Sequence, residues 1–505
     1  MKKIMTRLLS LVLLGAFIPS FVLAETWDLG KGDITVTATE TSQTVSQVNG
    51  ETKDDPDPVI TSSGKTENTV TINAETNATA NVTLENVNID TGTRGGAAIT
   101  TSGEGNVNIE LNGTNTVQSG NTHAGVEKKD NGTLTITDED KDGSLTATGG
   151  NYGAGIGGGY EGSGSNIAIE GGKVKAIGGT HGAGIGGGFG GSGSNIAIEG
   201  GKVEASSVGG GAGIGGGSLG SGSNIAVSGG EVTAQGGVGG AGIGGGQGGS
   251  GSNITISDGK VTATGAGAGA GIGGGYEGSG KGITIEGGEV TAQGDAGGAG
   301  IGGGISGTGS DVTISGDAQV KVQGGTTGRD WHKGAAIGNG GTPTTDGNEV
   351  SPNTSDLKVG GFIQIYEPGK NINTDTPDRT IEGQKGDHSW NAGEVTAETV
   401  PESKAAAYWV SDSQGQSIPY QAQQKDGVLT VTVQADTASL RGTTGSLSQL
   451  EAQGITGIRF VTNGAQSAFT LSDLLTSGTG SFTLTHDGDK ITFTLENTDI
   501  SGILK

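Results

Sequence analysis

Residues 153–159 read GAGIGGG, and the same seven residues return five more times further along the chain. Consecutive copies are 29 residues apart, so their central isoleucines form a series of fixed period. The isoleucines of this series are Ile156, Ile185, Ile214, Ile243, Ile272 and Ile301. A fixed period of this kind is typical of proteins built from stacked structural repeats. We therefore expect each 29-residue unit to form one coil of a stack.

Each unit contains three short apolar segments, which glycine, serine or asparagine residues separate. In the second segment Ile167 and Ile169 alternate with a small residue, which is the pattern of a strand with one buried face. In the third segment Val174 and Ala176 alternate with lysines in the same way. Glycine weakens helices and strands alike, so one unit cannot fold alone and needs its neighbours. We therefore predict an all-β fold, a right-handed parallel β-helix with three-sided coils, because parallel crossovers are almost always right-handed.

The stack extends beyond the identical repeats. Ile99 and Val126 occupy the position of the repeated isoleucine in two degenerate coils. Ile337 continues the series 36 residues after the last identical copy, which indicates a seven-residue insertion. We assign residues 25–400 to the β-helix, with the regular 29-residue repeats at about 149–325 and irregular coils on both sides.

The composition changes near residue 400, where glycine gives way to aromatic and β-branched residues. Phe482 and Leu484 precede the tetrapeptide HDGD, and Phe493 and Leu495 follow it. This pattern predicts a β-hairpin with one apolar face. Residues 401–505 are therefore expected to form a separate β-rich domain, of a size that is usual for domains.

The first 24 residues have the features of a secretory signal peptide. Three basic residues precede an apolar run at residues 8–14, and Ala24 ends a small-residue cleavage site before Glu25. We therefore expect cleavage after Ala24, a secreted or loosely surface-associated mature protein, and no membrane span after cleavage. The chain contains no cysteine, which excludes disulfides and thiolate metal sites.

The chain carries a formal net charge of −25, and loss of the basic signal peptide makes the mature protein more acidic still. A charge of this size disfavours binding to nucleic acid or to an anionic membrane surface. It fits an extracellular protein, and it can also concentrate divalent cations near the surface.

The three-segment coils and their apolar ladders resemble right-handed parallel β-helix proteins of the pectin-lyase-like class. The GAGIGGG units also resemble glycine-rich repeats of secreted Gram-positive bacterial proteins, which are commonly grouped as carbohydrate-binding or adhesin-like surface proteins. The resemblance covers about residues 60–370 and rests on core and turn residues. It implies the β-helix fold and a polysaccharide-binding surface, although such a fold hosts lyases, hydrolases, adhesins and inert spacers alike.

One position varies from coil to coil, namely the residue that directly follows the glycines. In successive coils it is Tyr160, Phe189, Ser218, Gln247, Tyr276 and Ile305. Repeats that keep their core and vary one surface position usually carry loops or bind ligands there. Tyr160, Phe189 and Tyr276 are candidate sugar-stacking residues along an axis that rises about 4.8 Å per coil. The alternative is that their rings only cover the glycine backbone.

The insertion before Ile337 concentrates charged and aromatic side chains in a region that otherwise has few of them. Arg329, Trp331 and His332 form a second candidate ligand-binding group. A tryptophan can stack on a sugar ring, and an arginine can bind the carboxylate of a uronic acid. Alternatively, this loop braces the end of the stack against the next domain.

Asp138, Asp140 and Asp142, followed by Gly143, match the first half of a calcium-binding loop. In such loops three carboxylates converge on a hard cation, and calcium is therefore a candidate cofactor. The twelfth position holds Gly149 instead of glutamate, which excludes an EF-hand. The alternative is an ordinary acidic turn between two strands.

These features together predict a secreted recognition or adhesion protein that binds polysaccharide or a host or cell-surface glycan through the outer face of a β-helix. No catalytic residues can be identified, because the five histidines are scattered and no basic proton acceptor is recognisable beside an acidic cluster. A polysaccharide lyase or hydrolase of the β-helix type is the alternative function, and a passive structural stalk is the second alternative.

Overall fold

The computed structural model of the chain describes residues 24–48, 50, 52–326, 332–354, 356–358, 360–382, 408–412, 418, 420–425, 427–444, 450, 455–478, 481–488, 490–495 and 498–504. The regular secondary structure of the described residues is almost entirely β-strand. Backbone contacts divide the chain into two compact units, one up to Glu394 and one from Val395. We describe each unit by itself.

The first unit is a stack of coils, and each coil contributes one strand to each of three long sheets. Sheet I contains the isoleucine of the GAGIGGG motif. Its 13 strands, in spatial order, are Lys53–Asp54, Gln43–Gln47, Ile34–Ala38, Val70–Ala74, Ile99–Gly103, Val126–Lys128, Ile156–Gly157, Ile185–Gly186, Ile214–Gly215, Ile243–Gly244, Ile272–Gly273, Ile301–Gly302 and Ile337–Gly338.

Sheets II and III contain the second and third apolar segments of each repeat, with 11 strands in each sheet. The strands of sheet II are Thr26–Asp28, Val59–Thr61, Thr79–Glu85, Asn106–Asn112, Leu134–Thr137, Gly164–Ile169, Gly193–Ile198, Gly222–Val227, Gly251–Ile256, Gly280–Ile285 and Gly309–Ile314. The strands of sheet III are Asn88–Asp90, Thr114–Gln118, Ser144–Thr148, Lys173–Gly178, Lys202–Ser207, Glu231–Val238, Lys260–Ala266, Glu289–Gln293, Gln319–Gln323, Phe362–Tyr366 and Arg379–Glu382.

The strands of successive coils pair in parallel, with equivalent residues of the repeat side by side. Ile156 pairs with Ile185, Ile167 with Ile196, and Val174 with Val203. These side chains point inward and are at most 1% exposed, so they form one continuous core along the stack. The predicted fold class is therefore confirmed: the chain forms a parallel β-helix, consistent with right-handed winding.

The degenerate coils lie where the sequence predicted them. Val126 pairs with Ile99 on one side and with Ile156 on the other, and Ile337 pairs with Ile301 despite the insertion. The isoleucine column therefore continues in both directions past the identical repeats.

Glycine is required where successive coils of sheet I come closest. Gly157 and its equivalents up to Gly338 have φ angles between 131° and 140°. A Cβ atom on Gly157 would lie 2.0 Å from the carbonyl oxygen of Gly186 in the next coil. No side chain fits in that space, and few residues other than glycine adopt this φ. The GIGGG motif is therefore a packing motif of the backbone.

Asparagines repeat at 29-residue intervals within four successive sheet II strands, and this spacing predicts hydrogen bonds from coil to coil. Asn195 Nδ2 donates to Asn166 Oδ1 at 2.9 Å, and Asn224 and Asn253 continue the chain of bonds at 3.0 and 3.1 Å. All four residues have φ between 51° and 56°, a region that asparagine tolerates better than most residues. This ladder has a structural role.

At each end of the stack an antiparallel strand covers the edge of one sheet, which the sequence did not indicate. At one end Gln43–Gln47 pairs antiparallel with Ile34–Ala38 in sheet I. At the other end Arg379–Glu382 pairs antiparallel with Phe362–Tyr366 in sheet III. An exposed parallel edge is a template for pairing with another chain, and these strands cover the edge of sheet I at one end and the edge of sheet III at the other.

The second unit contains two sheets and a short helix. The five-stranded sheet consists of Tyr408–Ser411, Thr437–Thr443, Ser481–Asp487, Lys490–Leu495 and Thr498–Asp499. The four-stranded sheet consists of Tyr420–Lys425, Val428–Val433, Gly457–Val461 and Gln466–Thr470, followed by the α-helix Leu471–Ser477. Phe482 and Leu484 pair with Leu495 and Phe493 across the hairpin at HDGD, and all four side chains are buried in the core, as predicted.

A fully buried histidine lies in the core of the second unit. His486 Nε2 is 2.7 Å from Ser467 Oγ, and its Nδ1 is 3.1 Å from Thr462 Oγ1. Burial lowers the pKa of His486. The neutral ring is therefore favoured, and it lies between the Ser467 hydroxyl on the strand Gln466–Thr470 and the Thr462 hydroxyl directly after the strand Gly457–Val461.

We expect Ile243→Asp to destabilise the β-helix by about 4 kcal/mol or more, because it places an unpaired charge in a core position with no exposed surface. Gln247→Ala, four residues further on at an exposed position, is the matched control and should change the free energy of unfolding by less than about 0.5 kcal/mol. Thermal and denaturant unfolding measure both. Equal losses would contradict the inward orientation of the isoleucine column.

We expect the second unit to lose stability as the pH falls below about 6.5, the ordinary pKa of histidine in an unfolded chain. The pKa of His486 is lower in the folded state than in the unfolded state, so the unfolded state binds more protons below about pH 6.5. Each unit of pH below that value therefore lowers the free energy of unfolding by up to about 1.4 kcal/mol. Amide hydrogen exchange of residues 457–487 at pH 7.5 and pH 5, corrected for intrinsic rates, measures this loss. In His486→Gln the pH dependence should largely disappear, and an unchanged dependence in that variant would assign it to other groups.

Candidate functional site

The residues that follow the glycines form a regular column beside sheet I. The backbone N–H of each column residue donates a hydrogen bond to a backbone carbonyl oxygen of the preceding coil. The acceptor residue lies four positions before the sheet I isoleucine or valine of that coil. Tyr160 N donates to Thr122 O at 2.7 Å, Phe189 N to Tyr152 O at 2.9 Å, and Tyr276 N to Gly239 O at 2.7 Å. The backbone therefore fixes the position of each column residue, whatever its side chain is.

The side chains of this column differ in exposure, so they do not form one uniform stripe. Tyr160 is 48% exposed, and Gln247 is exposed as well. Phe189 and Tyr276 are partly buried. Ser218 and Ile305 are buried, so the column offers no accessible side chain in those two coils.

Four aromatic rings lie together in the first two regular coils, and we call them the ring cluster: Tyr152, Tyr160, His181 and Phe189. The rings of Tyr160 and Phe189 are nearly parallel, with centroids 5.7 Å apart. The ring of Tyr152 stacks on that of His181 at 5.2 Å and meets the rings of Tyr160 and Phe189 edge-on. Tyr276, three coils further along, is outside this cluster.

Sequence reasoning missed Tyr152 and His181. They too are 29 residues apart, four positions before Ile156 and Ile185, so the same period would have found them. They belong to a second column of variable residues. The backbone carbonyl oxygens of this second column accept the hydrogen bonds that the backbone N–H groups of the first column donate.

Buried charges of the degenerate coil at Val126 position the start of the ring cluster. Glu127 occupies the place of a motif glycine and is 2% exposed. Its carboxylate accepts hydrogen bonds from the Ala124 backbone N–H at 3.0 Å and contacts His123 Nδ1 at 2.7 Å and Lys129 Nζ at 2.6 Å. These contacts fix the segment whose Thr122 carbonyl holds Tyr160.

The ring cluster contains groups that can form hydrogen bonds, among them the Tyr160 phenol and His181 Nδ1. The carboxylate of Glu161, the next residue in the chain, raises the pKa of the Tyr160 phenol, which therefore stays protonated at physiological pH. His181 Nδ1 is buried and has no hydrogen-bond partner among the described residues. The cluster thus combines apolar ring surface with a phenol donor at its exposed end.

Exposed aliphatic side chains continue the apolar surface in the next two coils. Val208, Leu219 and Val238 are 67%, 63% and 65% exposed. Leu219 directly follows the column residue Ser218, and Val238 directly precedes Gly239, which holds Tyr276. Exposed apolar surface that is grouped in this way is typical of binding surfaces.

A polar groove of about 810 Å³ lies over the outer face of sheet II, in the irregular coils near the start of the stack. Its lining residues are Pro56, Asp57, Asn81, Val82, Thr83, Asn108, Glu110, Thr135, Thr137, Glu139 and Glu170. Glu110 accepts hydrogen bonds from Thr137 Oγ1 at 2.6 Å and from the Glu139 backbone N–H at 2.8 Å. Sequence reasoning missed this groove because its residues do not repeat.

The three aspartates of the predicted calcium loop lie in the turn between the strands Leu134–Thr137 and Ser144–Thr148. Asp138 Oδ1 accepts a hydrogen bond from the Gly143 backbone N–H at 3.2 Å. Asp140 and Asp142 are exposed. In the described part of the chain, no three Asp, Glu, His or Cys side chains are grouped so that they could hold a metal ion. The calcium site therefore stays a prediction.

The second candidate group lies only partly within the described residues. Arg329 and Trp331 fall outside them. His332 Nδ1 lies 3.0 Å from Asp346 Oδ1, and the neighbouring Lys333 forms an ion pair with Glu367 at 2.9 Å. Both contacts join the insertion to the segments after the last sheet I strand, and both are partly exposed.

Comparison with known proteins supports the fold. Six stretches of the chain match the model of a family described as Beta helix repeat: residues 141–160, 167–189, 196–218, 225–247, 254–276 and 283–305. No curated protein and no solved structure matched the chain. The regular coils, which carry the ring cluster, are therefore similar to the Beta helix repeat family, and with the three parallel sheets this similarity identifies the first unit as a parallel β-helix.

Proposed function

We propose that this protein is a secreted recognition or adhesion protein that binds polysaccharide or a cell-surface glycan through the ring cluster and the surface beside it. The observation that carries the proposal is the ring cluster itself. Four rings, each with its centroid less than 6 Å from those of at least two others, lie on two adjacent coils, and Tyr160 is half exposed.

The chemistry of the ring cluster suits a sugar chain. Aromatic rings offer an apolar surface against which the C–H face of a sugar can pack, and the phenol of Tyr160 can donate to a hydroxyl group. Neighbouring coils are about 4.8 Å apart, close to the length of one sugar residue, so a chain along the helix axis would meet the rings of Tyr160 and Phe189 in two successive coils and that of Tyr276 three coils further on. Each contact is weak, and several together would give useful avidity.

The charge of the protein restricts the class of partner. At −25 for the whole chain, a neutral or cationic polymer can approach the surface without repulsion, whereas nucleic acid is repelled. No helix among the described residues has the length and apolar composition that a membrane crossing requires. The signal-like residues 1–24 support export of the protein to the cell surface or medium.

The polar groove supports a second candidate function, a polysaccharide hydrolase or lyase. Glu110, Glu139 and Glu170 all line it, and paired carboxylates are the usual groups for glycoside cleavage. Turnover of a bound glycan that Glu110→Gln abolishes would favour this enzyme. Neither binding nor turnover would leave the passive stalk as the function.

We expect the variant Tyr160→Ser, Phe189→Ser, Tyr276→Ser to lose retention on a glycan array to which the mature protein binds. Each ring contact contributes about 1 kcal/mol, so losing three lowers affinity by two orders of magnitude or more. The matched control is Thr233→Ser, Thr262→Ser, Thr291→Ser, which alters the outward face of sheet III at the same coil spacing.

Both variants should keep the far-UV circular dichroism and melting temperature of the wild type, because all six positions lie outside the buried core. If the variant with the three ring substitutions is still retained on the array, the binding site lies elsewhere, in the Trp331 insertion, the polar groove or the second unit. Loss of glycan retention in the threonine control would show that binding uses a broader surface that includes sheet III.

Calcium is a proposed cofactor of the turn that contains Asp138, Asp140 and Asp142. If these carboxylates share a cation, millimolar calcium should raise the melting temperature by mass action, and Asp140→Asn should remove most of the increase. Magnesium at equal concentration controls for ionic strength. A melting temperature that calcium leaves unchanged would identify the segment as an acidic turn.

A further inference from the structure

Glu25 follows the predicted signal cleavage site, and its carboxylate, backbone carbonyl and backbone N–H each form a polar contact. Glu25 Oε2 forms an ion pair with Lys53 Nζ at 2.7 Å. Its carbonyl oxygen accepts from the Val59 backbone N–H at 2.9 Å. Its backbone nitrogen donates to Asp55 Oδ2 at 3.1 Å. The preceding residue, Ala24, is exposed.

The acceptor of this last bond is a completely buried carboxylate. Asp55 is 0% exposed, and the same Oδ2 accepts a hydrogen bond from Trp27 Nε1 at 2.8 Å. Its other oxygen, Oδ1, accepts from the Asp57 backbone N–H at 3.3 Å. Among the residues that the structure describes, no Lys, Arg or His side chain forms an ion pair with Asp55. A buried carboxylate without a countercharge is costly for a folded protein.

We propose that signal cleavage itself supplies the missing countercharge. Hydrolysis of the Ala24–Glu25 peptide bond by a leader peptidase adds the hydroxyl of water to the Ala24 carbonyl and a proton to the Glu25 nitrogen. The new amine takes up a further proton at neutral pH and becomes an ammonium group. That group already lies at hydrogen-bond distance from Asp55, so cleavage converts a hydrogen bond from an uncharged amide into a partly buried ion pair.

This ion pair would fasten the open end of sheet II. The strand Thr26–Asp28 begins one residue after the new terminus and pairs in parallel with Val59–Thr61 as the last strand of that sheet. Trp27, which is 7% exposed, belongs to the core of the stack. Export and completion of the fold would then be linked, because the uncleaved precursor lacks the charge that compensates Asp55. The inference rests on the predicted cleavage after Ala24 and does not depend on glycan binding.

Two matched chains test the proposal. One begins at Glu25 and the other at Ala24, each released from a fusion by a protease that leaves no additional residue. They share every side chain from Glu25 onwards and the Glu25–Asp55 hydrogen bond, but the ammonium group of the longer chain lies one residue away from Asp55. The rate at which an amine-specific acylating reagent modifies the α-amino group at pH 7.5 is followed by mass spectrometry of the terminal peptide.

We expect the α-amino group of the Glu25 chain to react at least tenfold more slowly than that of the Ala24 chain, and the Glu25 chain to melt at the higher temperature. In the Glu25 chain, Asp55→Asn should restore fast acylation. If this variant does not fold, the comparison of the two wild-type chains still decides. Equal acylation rates and equal melting temperatures in the two chains would refute the ion pair.

Terminal sequencing of the exported protein completes the test, because the proposal requires Glu25 as the first residue. Any other terminus would overturn the proposal for the natural protein. Retention on a glycan array is measured separately, so failure of this proposal and failure of the proposed function are distinguishable.

Discussion

The structure of the first unit depends on how closely the backbones of successive coils approach each other at the glycine column of sheet I. A methyl group on Gly157 would lie 2.0 Å from the Gly186 carbonyl oxygen, so this distance leaves no room for any side chain. Because only glycine fits there in the coils from Gly157 to Gly338, these coils stack at one spacing and in one register, and the ladder of apolar residues on the inner side follows. The columns on the outer side, including Tyr160 and Phe189, inherit the same register through their backbone hydrogen bonds.

The sequence was sufficient for every part of the fold that repeats. The period of 29 residues predicted the three sheets, the inward residues and the asparagine ladder, and weaker copies at Ile99, Val126 and Ile337 extended the stack correctly. Features that occur once were not predictable in this way. The antiparallel strands at the two ends and the polar groove depend on tertiary contacts between unlike segments, for which a periodic pattern contains no information. Tyr152 and His181 do repeat, and they were missed because only the residues after the glycines were compared.

The candidate site shows how a fixed core and a variable surface coexist in the same coil. Inward positions keep Ile, Val or Ala in coil after coil, whereas the two outer columns change from aromatic to aliphatic to polar residues. Where a motif glycine is replaced by Glu127, the coil compensates the buried charge with contacts to His123, Ala124 and Lys129, and those contacts hold the segment next to Tyr160. The ring cluster thus begins one coil after a coil that departs from the motif, in which Glu127 replaces the glycine and local ion pairs offset the cost of its buried charge.

The antiparallel strands at the two ends have a consequence for how the length of this protein can change during evolution. Since each end has its own terminal segment and each internal coil contacts only its two neighbours, a whole coil can be gained or lost from the middle without altering either end. Six nearly identical units in tandem are a natural substrate for unequal recombination, which would change the length in steps of one coil, or about 4.8 Å. The same fold can thus be lengthened or shortened between generations while its core, its two ends and the spacing of its outer columns stay as they are.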